Sequence, residues 1–209
     1  MSQLDRRSFV ALAAGAVAGE AASAAEVAPM PRVAGAPLGP TEQAFERDYT
    51  PPNFTPSWKR PQLNRLVVQD FVVFAHMDLD MTRKLLEKEP ALVLASINWG
   101  TYDWESGLNA ASHMGRRDIV ELLLEHGARI DIFCAAMMGM LDVVQAFIKL
   151  QPKLIDAKGP HGFTLHFHAQ FGGKESEKVL DYLQSVKKIE LKANPFLKMK
   201  EKGAKKPSP

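Results

Sequence analysis

Three histidines crowd the stretch "GPHGFTLHFHAQ": His161, His166 and His168. Alternate positions of an extended segment share a face, so His166 and His168 could ligate one metal ion, with His161 nearby. No acidic or cysteine ligand stands beside them in sequence, and turn hydrogen bonding is the simpler use of such histidines. Cys134 is the one cysteine. It lies between Phe133 and Ala135, where a small buried thiol serves packing rather than nucleophilic attack. Asp103 and Glu105 could form an acid/base pair, but they fall in a polar loop and read as exposed charges. There is no phosphate-cradling glycine loop, serine triad or zinc-finger spacing. The expectation is therefore no catalytic residue, no metal and no cofactor. The alternative is a small exported enzyme or metal-binding protein using the His161/His166/His168 cluster.

The elements that would position these residues are helical. In "DIVELLLEHGA", Ile119, Val120, Leu122, Leu123 and Leu124 form a broad apolar face. Asp118 is placed to cap its start, and Gly127 to end it in the left-handed conformation. "LDMTRKLLEKEP", "LDVVQAFIKLQP" and "KESEKVLDYLQS" repeat the pattern. Short small-residue helices ending in glycine precede three of these: "NAASHMG", "FCAAMMG" and "FHAQFGG". A single helix pair cannot bury both apolar faces, whereas stacked pairs can, which is the logic of a solenoid.

These residues resemble the ankyrin repeat, whose pattern runs Gly-x-Thr-Pro-Leu-His-x-Ala-Ala-x-x-Gly, an outer helix, then Gly-Ala. In "SGLNAASHMG", Ser106 stands for Thr, Gly107 for Pro and Asn109 for His, while Leu108, Ala111 and Gly115 match. In "GFTLHFHAQFGG", Gly162, Thr164 and Ala169 keep their spacing, with His166 and Phe167 where Leu and His are usual. The resemblance implies an all-α, ankyrin-type helix-turn-helix solenoid of about four degenerate repeats behind a Pro-rich N-terminal linker. It also resembles exported bacterial proteins with degenerate ankyrin repeats. One departure stands out. From Gly115 to Gly139 is 24 residues, and from Gly139 to Gly172 is 33, the ordinary ankyrin period being about 33. The third repeat has lost its hairpin finger, which leaves a gap in the row of fingers.

The resemblance implies a non-catalytic module that binds another protein through its concave groove and finger loops. The residues placed there are Trp99, Tyr102 and Trp104 in the finger "NWGTYDWESG", and the inner-helix pairs His113 and Met114, Met137 and Met138, Gln170 and Phe171, with His161 beside them. Trp and Tyr suit binding hot spots, and methionine adapts to an apolar partner.

The ends differ from the middle. Residues 1–24 are laid out as a twin-arginine-like export signal: Arg6 and Arg7, then Phe9 and an apolar run, then Ala22 and Ala24 at the positions a signal peptidase reads. Residues 25–64 form a linker with prolines at 29, 31, 37, 40, 51, 52, 56 and 61. Some of Phe45, Tyr49, Phe54 and Trp58 are expected to pack on the first repeat. The repeat domain spans 65–186, and 187–209 is a tail with eight lysines. The formal charge of +2 gives no global field for nucleic acid. No transmembrane segment is expected after the signal. Together these features predict a monomer that works in the periplasm or outside the cell.

Overall fold

A computed structural model describes residues 44–191. The signal residues Arg6, Arg7, Phe9, Ala22 and Ala24, and most of the basic tail, lie outside the described residues. The described chain belongs to two units that divide after Gln62. In the first, Phe45, Tyr49, Phe54 and Trp58 are all exposed.

From Leu63 onward the chain is built of helix pairs. The inner helices are α1 (Arg65–Ala75), α3 (Gly107–His113), α5 (Ile132–Met138) and α7 (Leu165–Gly172). The outer helices are α2 (Leu79–Lys88), α4 (Arg117–Glu125), α6 (Leu141–Leu150) and α8 (Glu177–Val186). Each inner helix touches the next along the chain, and of the outer helices α2 touches α4 and α6 touches α8. Small residues make the close inner approach possible: Ala110, Ala111, Ala135, Ala136 and Ala169 are essentially fully buried. The outer helices contribute the larger apolar side chains Leu86, Ile119, Leu123, Val144, Val179 and Leu183.

Side-chain caps fix where four of these helices begin. Asp78, Ser106, Asp131 and Thr164 accept a hydrogen bond from a first-turn backbone N–H of α2, α3, α5 and α7, respectively. Ser106 and Asn109 form a reciprocal capping box. Asn109 also donates to Asp131 at 2.5 Å, which ties the start of α3 to the start of α5. Asp118 is not a cap. Arg116 occupies the capping position, and Asp118 lies in the first turn, held by the Arg116 guanidinium at 2.6 and 2.9 Å. Gly127 has φ +91°, as its role after α4 requires.

The one finger among the described residues is a short antiparallel hairpin, β1 (Ser96–Asn98) paired with β2 (Trp104–Ser106). It stands before α3. No hairpin precedes α5, as the 24-residue spacing requires. Before α7 there is instead a tight loop closed by a bridge between Lys158 and Thr164 and containing a 3-10 turn, Pro160–Gly162. With the third finger missing, this loop lies directly against the hairpin: the His161 backbone N–H donates to Asp103 Oδ1 at 2.8 Å. The inner helices α3 and α7 accordingly touch one another as well as α5.

Arg117, at the start of α4, fastens helix ends together. Its guanidinium donates to the Met137 carbonyl at 2.9 Å and the Gly172 carbonyl at 3.3 Å, and its Nε lies 2.6 Å from Glu175 Oε2. These are the orphan carbonyls at the ends of α5 and α7, so one side chain of α4 satisfies groups from the next two pairs. Arg117→Met keeps the stem but removes the donors. It is expected to destabilise the domain by about 2 kcal/mol, in the range of hydrogen bonds made by charged groups. Denaturant unfolding of the two chains measures the difference.

Candidate functional site

The expected stripe of groove residues does not form an open surface. His113, Met137 and Phe171 are core residues, 1 %, 0 % and 2 % exposed. The reason is the short third repeat, which draws α3, α5 and α7 close enough to enclose them. Met114, Met138 and Gln170 are half-buried. The finger aromatics split. Trp99 turns inward, and its indole N–H donates to Glu105 Oε2 at 2.6 Å. Tyr102 and Trp104 face outward, 98 % and 61 % exposed.

The proposed His161/His166/His168 cluster is also corrected. His166 Nε2 lies 3.0 Å from the Lys187 carbonyl. His168 is buried against Phe133, with Nδ1 2.8 Å from the Thr164 carbonyl. Two residues apart in an extended chain share a face, but α7 is helical here, so a two-residue step turns the side chains apart.

His161 belongs to a different group. Within the described residues, His76, Glu105, His113 and His161 each offer a ligand atom, and these atoms all lie within 4.8 Å of one another. Glu105 is at the centre. Its Oε1 is 3.4 Å from His76 Nε2, 3.3 Å from His113 Nδ1 and 3.3 Å from His161 Nε2. Four elements supply the group. His76 follows the last residue of α1, and His113 is the last residue of α3. Glu105 is the middle residue of β2, where strand alternation turns Trp104 outward and Glu105 inward. His161 occupies the loop before α7 with φ +57°, a conformation that few non-glycine residues adopt.

Neighbours fix the orientation of these side chains. His76 Nδ1 lies 2.8 Å from the Val72 carbonyl. His161 Nδ1 lies 2.8 Å from Asp103 Oδ2, while Asp103 Oδ1 accepts the His161 backbone N–H. By contrast, Glu105 Oε1 and both His113 nitrogens have no hydrogen-bond partner among the described residues. Glu105, expected to be an exposed loop charge, has no exposed side-chain surface. Loop membership suggested exposure, but strand alternation and the missing finger decide the matter.

The protonation equilibria follow. Burial by itself would raise the Glu105 carboxyl, yet His76, His161 and His113 around it hold it well below the ordinary carboxylate range. Burial pushes His113 well below the usual imidazole value, only partly opposed by Glu105. His161 is raised: its partial burial acts downward, but Glu105 and Asp103 outweigh it. Burial lowers His168 to about 4, and it pushes the Cys134 thiol up to about 12, which leaves that cysteine a packing residue. Three imidazoles around one carboxylate can share protons or hold a cation. Neither use was legible in "FAHMD" or "YDWESG" alone, because the four residues are spread over 86 positions.

A model of the ankyrin repeat family matches residues 106–133. The match covers α3 and α4 and extends into the start of α5. No curated protein and no solved structure matches the chain.

His168 provides a pH test. Its folded value is below the unfolded one of 6.5, so the unfolded chain takes up the proton first. The stability it supports is complete above pH 6.5 and is lost as pH falls toward 4. The lowered His113 and His166 act in the same direction, and the raised His161 acts oppositely. His168→Phe, which fills the same space beside Phe133, should flatten the stability profile in that window by up to about 1.4 kcal/mol per pH unit. Urea unfolding at a series of pH values measures both slopes.

Proposed function

We propose that this ankyrin repeat protein is a non-catalytic binding module for another protein, and that it makes the contact mainly with the tip of its finger hairpin. Ankyrin repeats mediate protein interactions, and their family is typically non-catalytic. The observation that carries the finer reading is the pair Tyr102 and Trp104, exposed on a hairpin whose root is fixed. Trp99 bonds to Glu105 beneath them, and Asn98 donates to the Thr101 carbonyl at 3.0 Å across the turn. Large aromatic surface on a preorganised support binds at low entropic cost. The half-buried Met114, Met138 and Gln170 would form the floor beside the tip. With His113, Met137 and Phe171 enclosed, a deep apolar groove is not the contact.

Tyr102→Ser combined with Trp104→Ser tests this reading. Both side chains are exposed, so the melting temperature should stay within about 2 °C. Proteins retained by the wild-type chain, identified from extracts of the source cells, should bind the variant at least tenfold more weakly, about 1.4 kcal/mol. Undiminished binding of the same proteins would overturn the assignment to the tip.

We further propose that the protein is exported by the twin-arginine route, on the strength of Arg6-Arg7, Phe9 and the Ala22-Ser23-Ala24 site. Folding before export suits a domain that relies on core packing without a disulfide, with Cys134 its single cysteine. Arg6→Lys with Arg7→Lys should leave the protein unprocessed inside the cell, because the ammonium does not replace a paired guanidinium. Cell fractionation reads the result, and normal export of the double variant would overturn this route.

A further inference from the structure

We propose that His76, Glu105, His113 and His161 bind one divalent transition-metal ion of the zinc class, which fastens the first inner helix, the hairpin, the second inner helix and the fourth-repeat loop to one another.

The distances carry the argument first. A tetrahedral ion with ligand bonds of about 2.0–2.1 Å places its ligand atoms about 3.3–3.4 Å apart. Glu105 Oε1 lies 3.3–3.4 Å from a nitrogen of each of the three histidines. These three separations match three edges of one coordination tetrahedron. The nitrogens, all within 4.8 Å of one another, need only small side-chain rotations to complete it.

Lone pairs carry it second. The Val72 carbonyl facing His76 Nδ1 only accepts hydrogen bonds, so Nδ1 bears the ring proton. In the neutral ring, Nε2 then directs its lone pair at Glu105 Oε1. Asp103 sets the same tautomer in His161, again leaving Nε2 to face Glu105. A lone pair opposed to a buried carboxylate oxygen repels it unless positive charge lies between them. A proton supplies that charge at one nitrogen, whereas a metal ion supplies it at His76 and His161 together and also accepts the third nitrogen, from His113. A second shell is already in place: a carbonyl behind His76, a carboxylate behind His161 and the Trp99 indole N–H on the other Glu105 oxygen. Such partners orient ligands in metal sites. His113 is the ligand that packing alone positions, fully buried with both nitrogens unbonded among the described residues.

The donor set names the class of ion. Three imidazoles and a carboxylate, with no thiolate, suit zinc and its divalent neighbours rather than calcium or magnesium. Glu105 and His113 are sealed from solvent. With no open coordination position, the site is a structural staple rather than a catalytic centre. Its placement follows from the short third repeat, since a full finger before α5 would separate His161 from Glu105.

The test uses the full chain, freed of metal by a chelator and titrated with Co²⁺ and then Zn²⁺. The proposal requires one Co²⁺ per chain, the visible absorption bands of four-coordinate cobalt, their loss on adding one equivalent of Zn²⁺, and a higher melting temperature with either ion. His161→Asn removes a ligand, while asparagine tolerates the left-handed backbone there. It should weaken Zn²⁺ binding at least a hundredfold. Asp103→Asn leaves all four ligands in place and should weaken it about tenfold or more; it keeps the test decisive if His161→Asn folds poorly. His166→Asn, at the other buried histidines, should bind like wild type. The proposal is overturned if the wild-type chain takes up no stoichiometric ion at about 10 µM free metal, a level that reveals any site of ordinary strength. It is equally overturned if folded His161→Asn and Asp103→Asn bind as tightly as wild type. Partner recovery by the hairpin tip is a separate readout, so the two assignments fail independently.

Discussion

The Glu105 carboxylate imposes the strictest physical requirement in this domain. It is ionised, because the surrounding imidazoles hold its pKa low, and its side chain has no contact with solvent. A buried charge of this kind costs several kcal/mol unless neighbours compensate it. Compensation comes from three residues that no local segment could bring together: the end of the first inner helix, the end of the second, and a loop from the fourth repeat. The charge therefore couples elements that, in a regular ankyrin stack, would each contact only their immediate neighbours.

The shortened third repeat makes that coupling possible. An ordinary solenoid keeps its fingers in a row, one repeat apart. Here the row is interrupted, and the loop before α7 reaches back to the hairpin before α3. Arg117, four residues after His113, does corresponding work by joining α4 to the C-terminal ends of α5 and α7. Arg117 thus ties the second, third and fourth repeats, and the buried carboxylate ties the first, second and fourth, around an apolar core that includes Ile119, Leu123, Met137 and Phe171. A domain of this size gains from such ties, since one capped helix pair is not stable alone.

Closure has a consequence for recognition. Of the side chains expected to line the concave face, His113, Met137 and Phe171 are consumed by the core, while the finger leaves Tyr102 and Trp104 exposed. The same hairpin carries the buried Glu105 on its inward side. Strand alternation thus gives one three-residue strand both an exposed indole, Trp104, and a buried carboxylate, Glu105.

The sequence by itself determined the helix pairs, the left-handed Gly127, the ankyrin character of the second repeat and the absence of a third finger. All of these depend on periodicity and turn chemistry within a few residues, which a linear reading captures. It failed locally at Asp118, which lies in the first turn of α4 instead of capping it, and otherwise where distance along the chain exceeded that range. His166 and His168 looked like partners of His161 because they are near it in sequence, but the helix turns them away. Asp103 and Glu105 looked exposed because they lie in a hairpin. His76 attracted no notice, since its role depends on residues 29, 37 and 85 positions further along the chain. Only the tertiary structure decided which side chains share the buried charge. Such a site is defined by the closure of non-local contacts, and its geometry exists only once the missing finger lets the fourth-repeat loop fold back on the hairpin.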